Sequence, residues 1–347
     1  LLALAVTPLL GQMQTTFDTD IQILERLAEE RYAEGDLQRA ADLYYEIATK
    51  QIDERAQAKA LFTSAWLLQL TGDSSRPIDL LTRSLRLDPE QPFDSSLYDR
   101  NFELLYRQAL DIALRERRRA ATEATHEGVA HLQAGRDTQA RASLEEALVL
   151  DADNATALYN LALLDLRIGA LPKALGDFER VVSLTYKDSG AEMNGLRARS
   201  LVGIGLIYQQ QGRQQDAEQS FLEPTRADPK ETSAWKSLGL LQLNTKHYAA
   251  ATTPLQRAAE LLPTDRTVII ALVESLDKSG RAGQACLTLN GFLNQHPADA
   301  ELWQQLAALE ESRGNTEAAI LALESSITAD QENHSGVGLV SAVRLAT

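Results

Sequence analysis

Residues 234–263 read AWKSLGLLQLNTKHYAAATTPLQRAAELLP, and this stretch decides the fold. Its apolar residues recur at three- and four-residue spacing in two short runs, which predicts two short helices. A polar segment around Lys246 separates the runs, and Pro263 ends the second one. The stretch holds no pair of carboxylates, no Cys/His cluster and no phosphate-binding loop. The stretch therefore predicts a pair of helices and no catalytic, metal-binding or phosphate-binding site.

The same pattern returns every 34 residues in the second half of the chain. A repeat of this length predicts stacked units, because none can bury its apolar face alone. The equivalent positions over four units are Leu201, Trp235, Ile269 and Trp303; Gly205, Gly239, Val273 and Ala307; Ala217, Ala251, Ala285 and Ala319; and Phe221, Leu255, Leu289 and Leu323, with Pro229, Pro263 and Pro297 closing three of them.

These positions resemble the tetratricopeptide repeat. The resemblance extends upstream and covers most of residues 20–334; further matches include Gly35 with Ala40, Gly135 with Ala140, and Gly169 with Ala174. It implies an all-α fold, an α-solenoid of about eight tandem helix-turn-helix repeats that form a right-handed superhelix. The first helix of each repeat is called helix A here, and the second helix B.

The repeat pattern also predicts local packing. Gly239 and Ala251 are expected at a close crossing of helices A and B, and Leu255 between helix B and the next helix A. Gly212, Gly280 and Gly314 are expected in the turns, where Lys246 replaces the glycine. Pro224, inside a B helix, is expected to kink or shorten that helix.

The interruptions of the period predict the domain organisation. Residues 90–122 are expected to form a long linker helix from about Leu97, capped by Asp94 or Ser95. Nine extra residues between Gly169 and Gly212 predict a longer loop or a lengthened helix. The expected segments are 1–16, a signal-peptide remnant or disordered N-terminus; 17–89, an N-terminal repeat pair; 90–122, the linker helix; 123–334, six further repeats; and 335–347, a capping helix or tail.

Composition limits the classes of function. The formal charge of −15 disfavours nucleic acid as a partner, and the single cysteine allows no intramolecular disulfide. The uncharged start LLALAVTPLLGQ indicates the apolar part of a signal peptide, with an apolar first strand or helix as the alternative. An exported protein of bacterial type, periplasmic or secreted, is therefore expected, with the cytoplasm as the alternative. No stretch predicts a transmembrane span.

Side chains that could carry chemistry are scattered. His126 and His131 lie five residues apart and do not share a helix face, and Cys286 is expected to be a small buried hydrophobe. The basic run at residues 115–119 is either an anion-binding patch or a solvated face paired with local acids. No catalytic residue, cofactor site or metal site is predicted, and the protein is expected not to be an enzyme.

The resemblance implies that the A helices line a concave groove that holds a peptide. The positions expected in that groove are Tyr159, Asn160, Arg167, Arg199, Gln209, Lys236 and Asn244, with Leu163, Val202, Leu206, Leu240, Leu243, Ile270, Glu274 and Asp277 beside them. Some members bind a C-terminal carboxylate through a Lys/Arg–Asn clamp. Here Thr125 and Val129 precede Asn160, so the complete clamp is not expected.

A non-enzymatic protein–protein interaction scaffold, binding a peptide or protein partner, is the leading functional prediction. The alternative is a recruiting or regulatory arm of a larger enzyme or of a secretion or envelope assembly.

Overall fold

The computed structural model describes residues 7–73, 75–187, 190–331 and 336–346, with side chains from Asp20 onward. These residues form seventeen α-helices, one 3-10 turn and no β-strand. Part of the expected signal segment, residues 1–6, lies outside the described residues; from Thr7 the chain is helical. The helices are α1 Thr7–Ala33, α2 Leu37–Lys50, α3 Glu54–Leu70, α4 Arg76–Leu87, α5 Arg100–Gln133, α6 Asp137–Leu150, α7 Ala155–Arg167, α8 Leu171–Thr185, α9 Ala191–Gln210, α10 Gln214–Ala227, α11 Thr232–Asn244, α12 Tyr248–Leu261, α13 Arg266–Lys278, α14 Ala282–Leu293, α15 Ala300–Ser312, α16 Thr316–Ala329 and α17 Val337–Ala346.

The first sixteen helices are eight A/B pairs, with odd-numbered A helices and even-numbered B helices. They form two compact units: one up to His126 together with Val149–Ala152, the other comprising Glu127–Leu148 and the chain from Asp153 onward. Each unit has its own apolar core of stacked helices. An all-α stack of helical repeats, as predicted from the sequence, is therefore confirmed. The handedness of the superhelix stays a prediction.

The turn between helices A and B keeps one geometry along the second unit. Gly212 and Gly280 have φ values of 74° and 79°, in the left-handed region that glycine adopts without a steric penalty. Lys246 adopts the same conformation, with φ 64°. Its N–H donates to the Leu243 carbonyl at 2.9 Å, and the next N–H, of His247, donates to the Gln242 carbonyl at 2.8 Å. The turn therefore forms in spite of the missing glycine.

The close crossing of helices A and B also involves the large apolar residue of helix B. A Cβ atom added to Gly239 would lie 2.6 Å from Leu255 Cγ, so the glycine faces the leucine of its own B helix. Gly128 faces Leu144 in the same way, also at 2.6 Å. Leu255 also belongs to a core cluster that includes residues of α13, so it packs against both neighbouring A helices. The reason is size: only a residue without a side chain leaves room for leucine at this crossing.

The expected shortening of helix α10 at Pro224 is not observed. Helix α10 has 14 residues, as do α6 and α16, which contain no proline. Pro224 and Phe221 are both buried. Tertiary packing thus offsets the backbone hydrogen bond that proline cannot donate.

The two interruptions of the repeat both involve lengthened helices. Helix α5 begins at Arg100, later than expected, because Asp99 accepts from the N–H groups of Asn101 and Phe102 at 2.8 and 3.0 Å. Asp94 instead caps the preceding 3-10 turn. The inserted residues before Gly212 mainly extend helix α9, which has 20 residues where α11 and α13 have 13.

Candidate partner-binding site

Four A helices of the second unit, α7, α9, α11 and α13, form a continuous layer. Helix α7 contacts α9, α9 contacts α11, and α11 contacts α13, although a B helix separates each pair in sequence. Stacking of successive repeats therefore brings equivalent positions of the A helices side by side. The surface of this layer, defined by Tyr159, Leu163, Arg199, Leu206 and Leu240, is called the A-helix face below.

Three leucines at equivalent repeat positions lie on this face, on three neighbouring helices. Leu163 of α7 is 38% exposed and Leu206 of α9 is 40% exposed. Leu240 of α11 is half-buried and packs against the core. Leucines of this kind are usually buried, so their alignment on one face indicates a contact surface.

Tyr159 and Arg199 come together beside these leucines. The Arg199 guanidinium lies 5.6 Å from the centroid of the Tyr159 ring, within the range of a cation–π interaction. The same ring packs 5.9 Å from that of Phe178. Burial raises the pKa of the Tyr159 hydroxyl, so this residue is a neutral phenol. The pair presents an exposed cation on an aromatic support that is already fixed in place.

The other predicted groove residues have varied environments. Asn160 donates to the Thr156 carbonyl of its own helix at 2.8 Å, and Arg167 forms an ion pair with Asp137 at 2.7 Å. Gln209 is half-buried and Asn244 is exposed. Val202 and Leu243, which the repeat pattern also placed in the groove, are only 6% and 8% exposed; they belong to the core.

Lys236 is held by a neighbouring repeat. Its ammonium lies 2.6 Å from Asp265 Oδ2, while Asp265 Oδ1 accepts from the Thr267 and Val268 N–H groups at the start of α13. The hydrogen bond from Lys236 is the largest cause of a lowered pKa of the Asp265 carboxyl. Lys236 therefore ties two successive A helices together at their N-terminal ends.

Charge is distributed unevenly over the A helices. Arg199 is an exposed cation on α9, whereas Glu274 is an exposed anion at the repeat position of the aligned leucines on α13. Asp277, one turn further along α13, is half-buried. The layer thus presents an exposed cation on α9 and an exposed anion on α13.

Cys286 and the basic run, which the sequence singled out, are buried in the core and paired with local acids, respectively. Cys286 is 2% exposed, and burial raises the pKa of its thiol. Within the described part of the chain, no group of three or more His, Cys, Asp or Glu residues could hold a metal ion, and no helix there is long and apolar enough to cross a membrane. In the basic run, Arg115 and Arg119 pair with Asp111 and Glu123 at 2.7 and 2.9 Å.

Sequence reasoning missed a set of polar contacts between repeats. Asp165 is 2% exposed and pairs with Arg141 of the preceding B helix at 2.5 Å. At the equivalent repeat positions, Gln242 donates to Glu218 at 2.7 Å. The sequence did contain a signal for these contacts. Asp165 and Gln242 are polar residues at the repeat position where the fifth repeat has Tyr208. A buried polar group there requires a partner on the adjacent repeat.

Together, the stacked A/B pairs and the left-handed turns define a helical-repeat protein. A family profile described as tetratricopeptide repeat matches residues 125–192 and 202–266. The human PEX5-related protein is 34% identical over 70 residues, and the mouse PEX5-related protein is 33% identical over the same length. These matches cover 20% of this chain but 11% and 12% of the two relatives, so the similar segment spans about a tenth of their length.

Two solved structures are similar to this chain. The Pseudomonas aeruginosa PilF structure matches with a TM-score of 0.50 and 21% identity, covering 66% of this chain and 99% of that one. YrrB, described as a tetratricopeptide-repeat protein with an unusual peptide-binding site, matches with a TM-score of 0.46 and 21% identity over 57% of this chain and 96% of that one. The chain therefore contains tetratricopeptide repeats, as predicted from the sequence. Its repeats support a role as a protein–protein interaction scaffold, and the family is typically non-enzymatic.

Proposed function

We propose that the protein is a scaffold that binds a peptide or a segment of a partner protein on the A-helix face of its second unit. The observation that carries this proposal is the exposure of Leu163 and Leu206 at equivalent positions of two adjacent helices. Full burial of a leucine contributes about 1.5–3 kcal/mol, so covering the exposed part of each contributes about 1 kcal/mol. A partner that covers both gains a tenfold or greater increase in affinity from these two side chains.

The polar groups around the leucines define the chemistry of the partner. Arg199 offers an exposed cation about two turns before Leu206 on α9, and Glu274 offers an exposed anion on α13. The matching segment carries apolar side chains, an acidic group on the α9 side and a basic group on the α13 side. The charged groups set its direction and its rate of association, while the leucines supply affinity.

The test uses peptides selected from a random library displayed on phage for binding to the wild-type protein. Binding of the selected peptides is then measured for the Leu163→Ser/Leu206→Ser variant by fluorescence anisotropy. The matched control is Leu287→Ser/Leu321→Ser, since these leucines are 74% and 63% exposed but lie on B helices. Circular dichroism verifies that both variants keep their helix content.

We expect at least about a tenfold weaker binding for the A-helix variant and wild-type binding for the control. Equal weakening in both variants would indicate non-specific apolar binding. Wild-type binding by the Leu163→Ser/Leu206→Ser variant would place the site elsewhere.

Export remains a proposal from the apolar, uncharged residues 1–12. It is tested by fractionating bacterial cells that express the complete reading frame with a C-terminal tag. Recovery only from the cytoplasm would contradict it. The alternative role, as the recruiting arm of a larger assembly, would use the same A-helix face.

A further inference from the structure

A cluster of aromatic rings lies in the first unit, although aromatic residues make up only 5% of the chain. Ring centroids 4.0–6.5 Å apart connect its seven members, which are Tyr32, Phe62, Trp66, Phe93, Tyr98, Phe102 and Tyr106. Phe62 and Phe102 are buried in the core of this unit. Tyr32 is 46% exposed, and Trp66 and Tyr98 are half-buried. The cluster therefore extends from the core to the surface.

The surface members of the cluster lie along the A helices of the first unit. Trp66 of α3 is six residues before the glycine of its turn, as Leu163 and Leu206 are in their repeats. The ring of Tyr32 on α1 lies 6.1 Å from that of Trp66, and the ring of Tyr98, just before α5, lies 6.0 Å from it. Tyr32, Trp66 and Tyr98 are together called the aromatic row.

Stacking of further repeats does not cover this surface. Helix α3 already has A helices on both sides, since Trp66 contacts Tyr32 of α1 and Phe62 contacts Phe102 of α5. In the second unit, Leu206 is 40% exposed although α9 contacts both α7 and α11. Repeats are added at the ends of an array and leave the surface of its A helices open. The accessibility of the aromatic row at Trp66 is therefore a property of the array and not of its ends.

The rings of the aromatic row carry polar groups that are available to a ligand. The indole N–H of Trp66 and the hydroxyl groups of Tyr32 and Tyr98 form no hydrogen bond within the described part of the chain. The polar atoms of Trp66 and Tyr98 are not buried, so both reach solvent. Tryptophan and tyrosine with an apolar ring and an accessible donor are characteristic of interfaces.

The other two tryptophans show which acceptor suits such a donor. Trp235 donates its indole N–H to the carbonyl of Pro229, and Trp303 donates to the carbonyl of Pro297, each at 3.0 Å. Trp66 has no such partner among the residues that the structure describes. The chain thus contains two hydrogen bonds of a kind that a proline-containing ligand could form with Trp66.

The surface of α1 beside the aromatic row is acidic. Glu25 and Glu29 are exposed, and neither forms an ion pair within the described ranges of the chain. Glu29 is the first-repeat equivalent of Trp66, because it too lies six residues before the glycine of its turn, and it is about one turn from Tyr32. Carboxylates repel nucleic-acid phosphates, so the rings do not suit base stacking. They favour a ligand that carries a cation.

We propose that the aromatic row binds a proline-rich segment of a partner protein in the polyproline II conformation, with Lys or Arg beside the prolines. Such a segment has no internal hydrogen bonds, so its carbonyls can accept from Trp66 and from the two tyrosines. Aromatic-lined surfaces recognise this conformation because it is already ordered before binding. The row extends over at most about 12 Å, slightly more than one polyproline II turn of about 9 Å.

The probe is a fluorescein-labelled synthetic peptide of one arginine followed by about nine prolines, which make about three polyproline II turns. In one control peptide, alternating glycine and serine replace the prolines; in the other, glutamate replaces the arginine. Binding to the full chain is measured by fluorescence anisotropy, and also to the variants Trp66→Phe, Tyr32→Ser and Tyr45→Ser. Tyr45 is 40% exposed on the B helix α2 of the same unit, so its variant is the matched control. Circular dichroism verifies the fold of each variant.

We expect saturable binding of the proline peptide to the full chain. Trp66→Phe keeps an aromatic ring but loses the N–H donor, so binding should weaken about fivefold, the effect of one hydrogen bond. Tyr32→Ser should weaken binding about tenfold, and Tyr45→Ser should leave it unchanged. The glutamate peptide should bind more weakly than the arginine peptide at low salt, with a smaller difference at high salt.

No saturable binding at peptide concentrations up to about 1 mM would overturn the proposal. Equal binding of the glycine–serine peptide would also overturn it, because a flexible basic segment would then suffice. Equal weakening by Tyr32→Ser and Tyr45→Ser would indicate non-specific contact with exposed rings. The Leu163→Ser/Leu206→Ser variant should bind the proline peptide like the wild type, so the two proposed surfaces are tested separately. Loss of proline-peptide binding in that variant would place the peptide on the second unit and contradict the proposal.

Discussion

Substitution of Gly239 by alanine tests the close crossing on which the stacking depends. An alanine Cβ atom there would lie 2.6 Å from Leu255 Cγ, 2.7 Å from its Cδ2 and 3.2 Å from its backbone nitrogen. Carbon atoms in contact are about 3.5–4.0 Å apart, so helices α11 and α12 must separate by about 1 Å or Leu255 must leave its rotamer. Either change disturbs the layer beneath the A-helix face.

Two opposing effects determine how much Gly239→Ala changes the free energy of unfolding. Overpacking of this kind costs about 1–3 kcal/mol. Replacing glycine by alanine inside a helix contributes about 1 kcal/mol of stability. We therefore expect Gly239→Ala to lower the free energy of unfolding by about 1 kcal/mol. Gly176→Ala is the matched control, because no atom lies within 4 Å of its added Cβ, and it should stabilise by up to about 1 kcal/mol.

The decisive measurement is a double-mutant cycle with Leu255→Ala. That change alone costs about 2–5 kcal/mol through the cavity it leaves. In the Leu255→Ala background, the methyl group added by Gly239→Ala has no leucine side chain to clash with. Gly239→Ala should therefore stabilise that variant by up to about 1 kcal/mol. The coupling between the two sites is then about 2 kcal/mol. Urea unfolding is followed by circular dichroism and by tryptophan fluorescence; of the three tryptophans, Trp235 lies one turn from Gly239 on the same helix.

Equal effects of Gly239→Ala in the wild-type and Leu255→Ala backgrounds would refute this reasoning. They would mean that Leu255 does not rest on the glycine. A stabilising Gly239→Ala in the wild type would mean that the helices separate without cost.

Two further changes test the turn and the tie between repeats. Lys246→Gly should raise the free energy of unfolding by about 1 kcal/mol, since φ is 64° at this non-glycine residue; an unchanged urea midpoint would contradict this. Lys236→Met removes the ion pair to Asp265 and should lower stability by about 1 kcal/mol near pH 7. Because the pKa of Asp265 is lowered in the folded protein, this contribution is present above about pH 4 and is lost as pH falls through the folded pKa. Urea unfolding from pH 7 to pH 3 should show the two proteins converging at acid pH, and a constant difference would contradict the assignment.

The sequence by itself determined the repeat, the helix pairs and the turns. These features follow from local rules, which depend only on residues close together in the sequence. Apolar spacing selects helices, glycine permits a left-handed turn, and small residues at a fixed offset permit close crossings. The absence of shortening at Pro224 and the turn at Lys246 show where packing overrides local preference.

Only the tertiary structure decided which groove positions are available to a partner. Val202 and Leu206 are four residues apart on α9, yet the first is buried and the second exposed. Lys236 is held by Asp265, 29 residues away. The exposure or pairing of each of these side chains depends on residues of another helix. The spacing of apolar residues within one helix does not show which other helices pack on it.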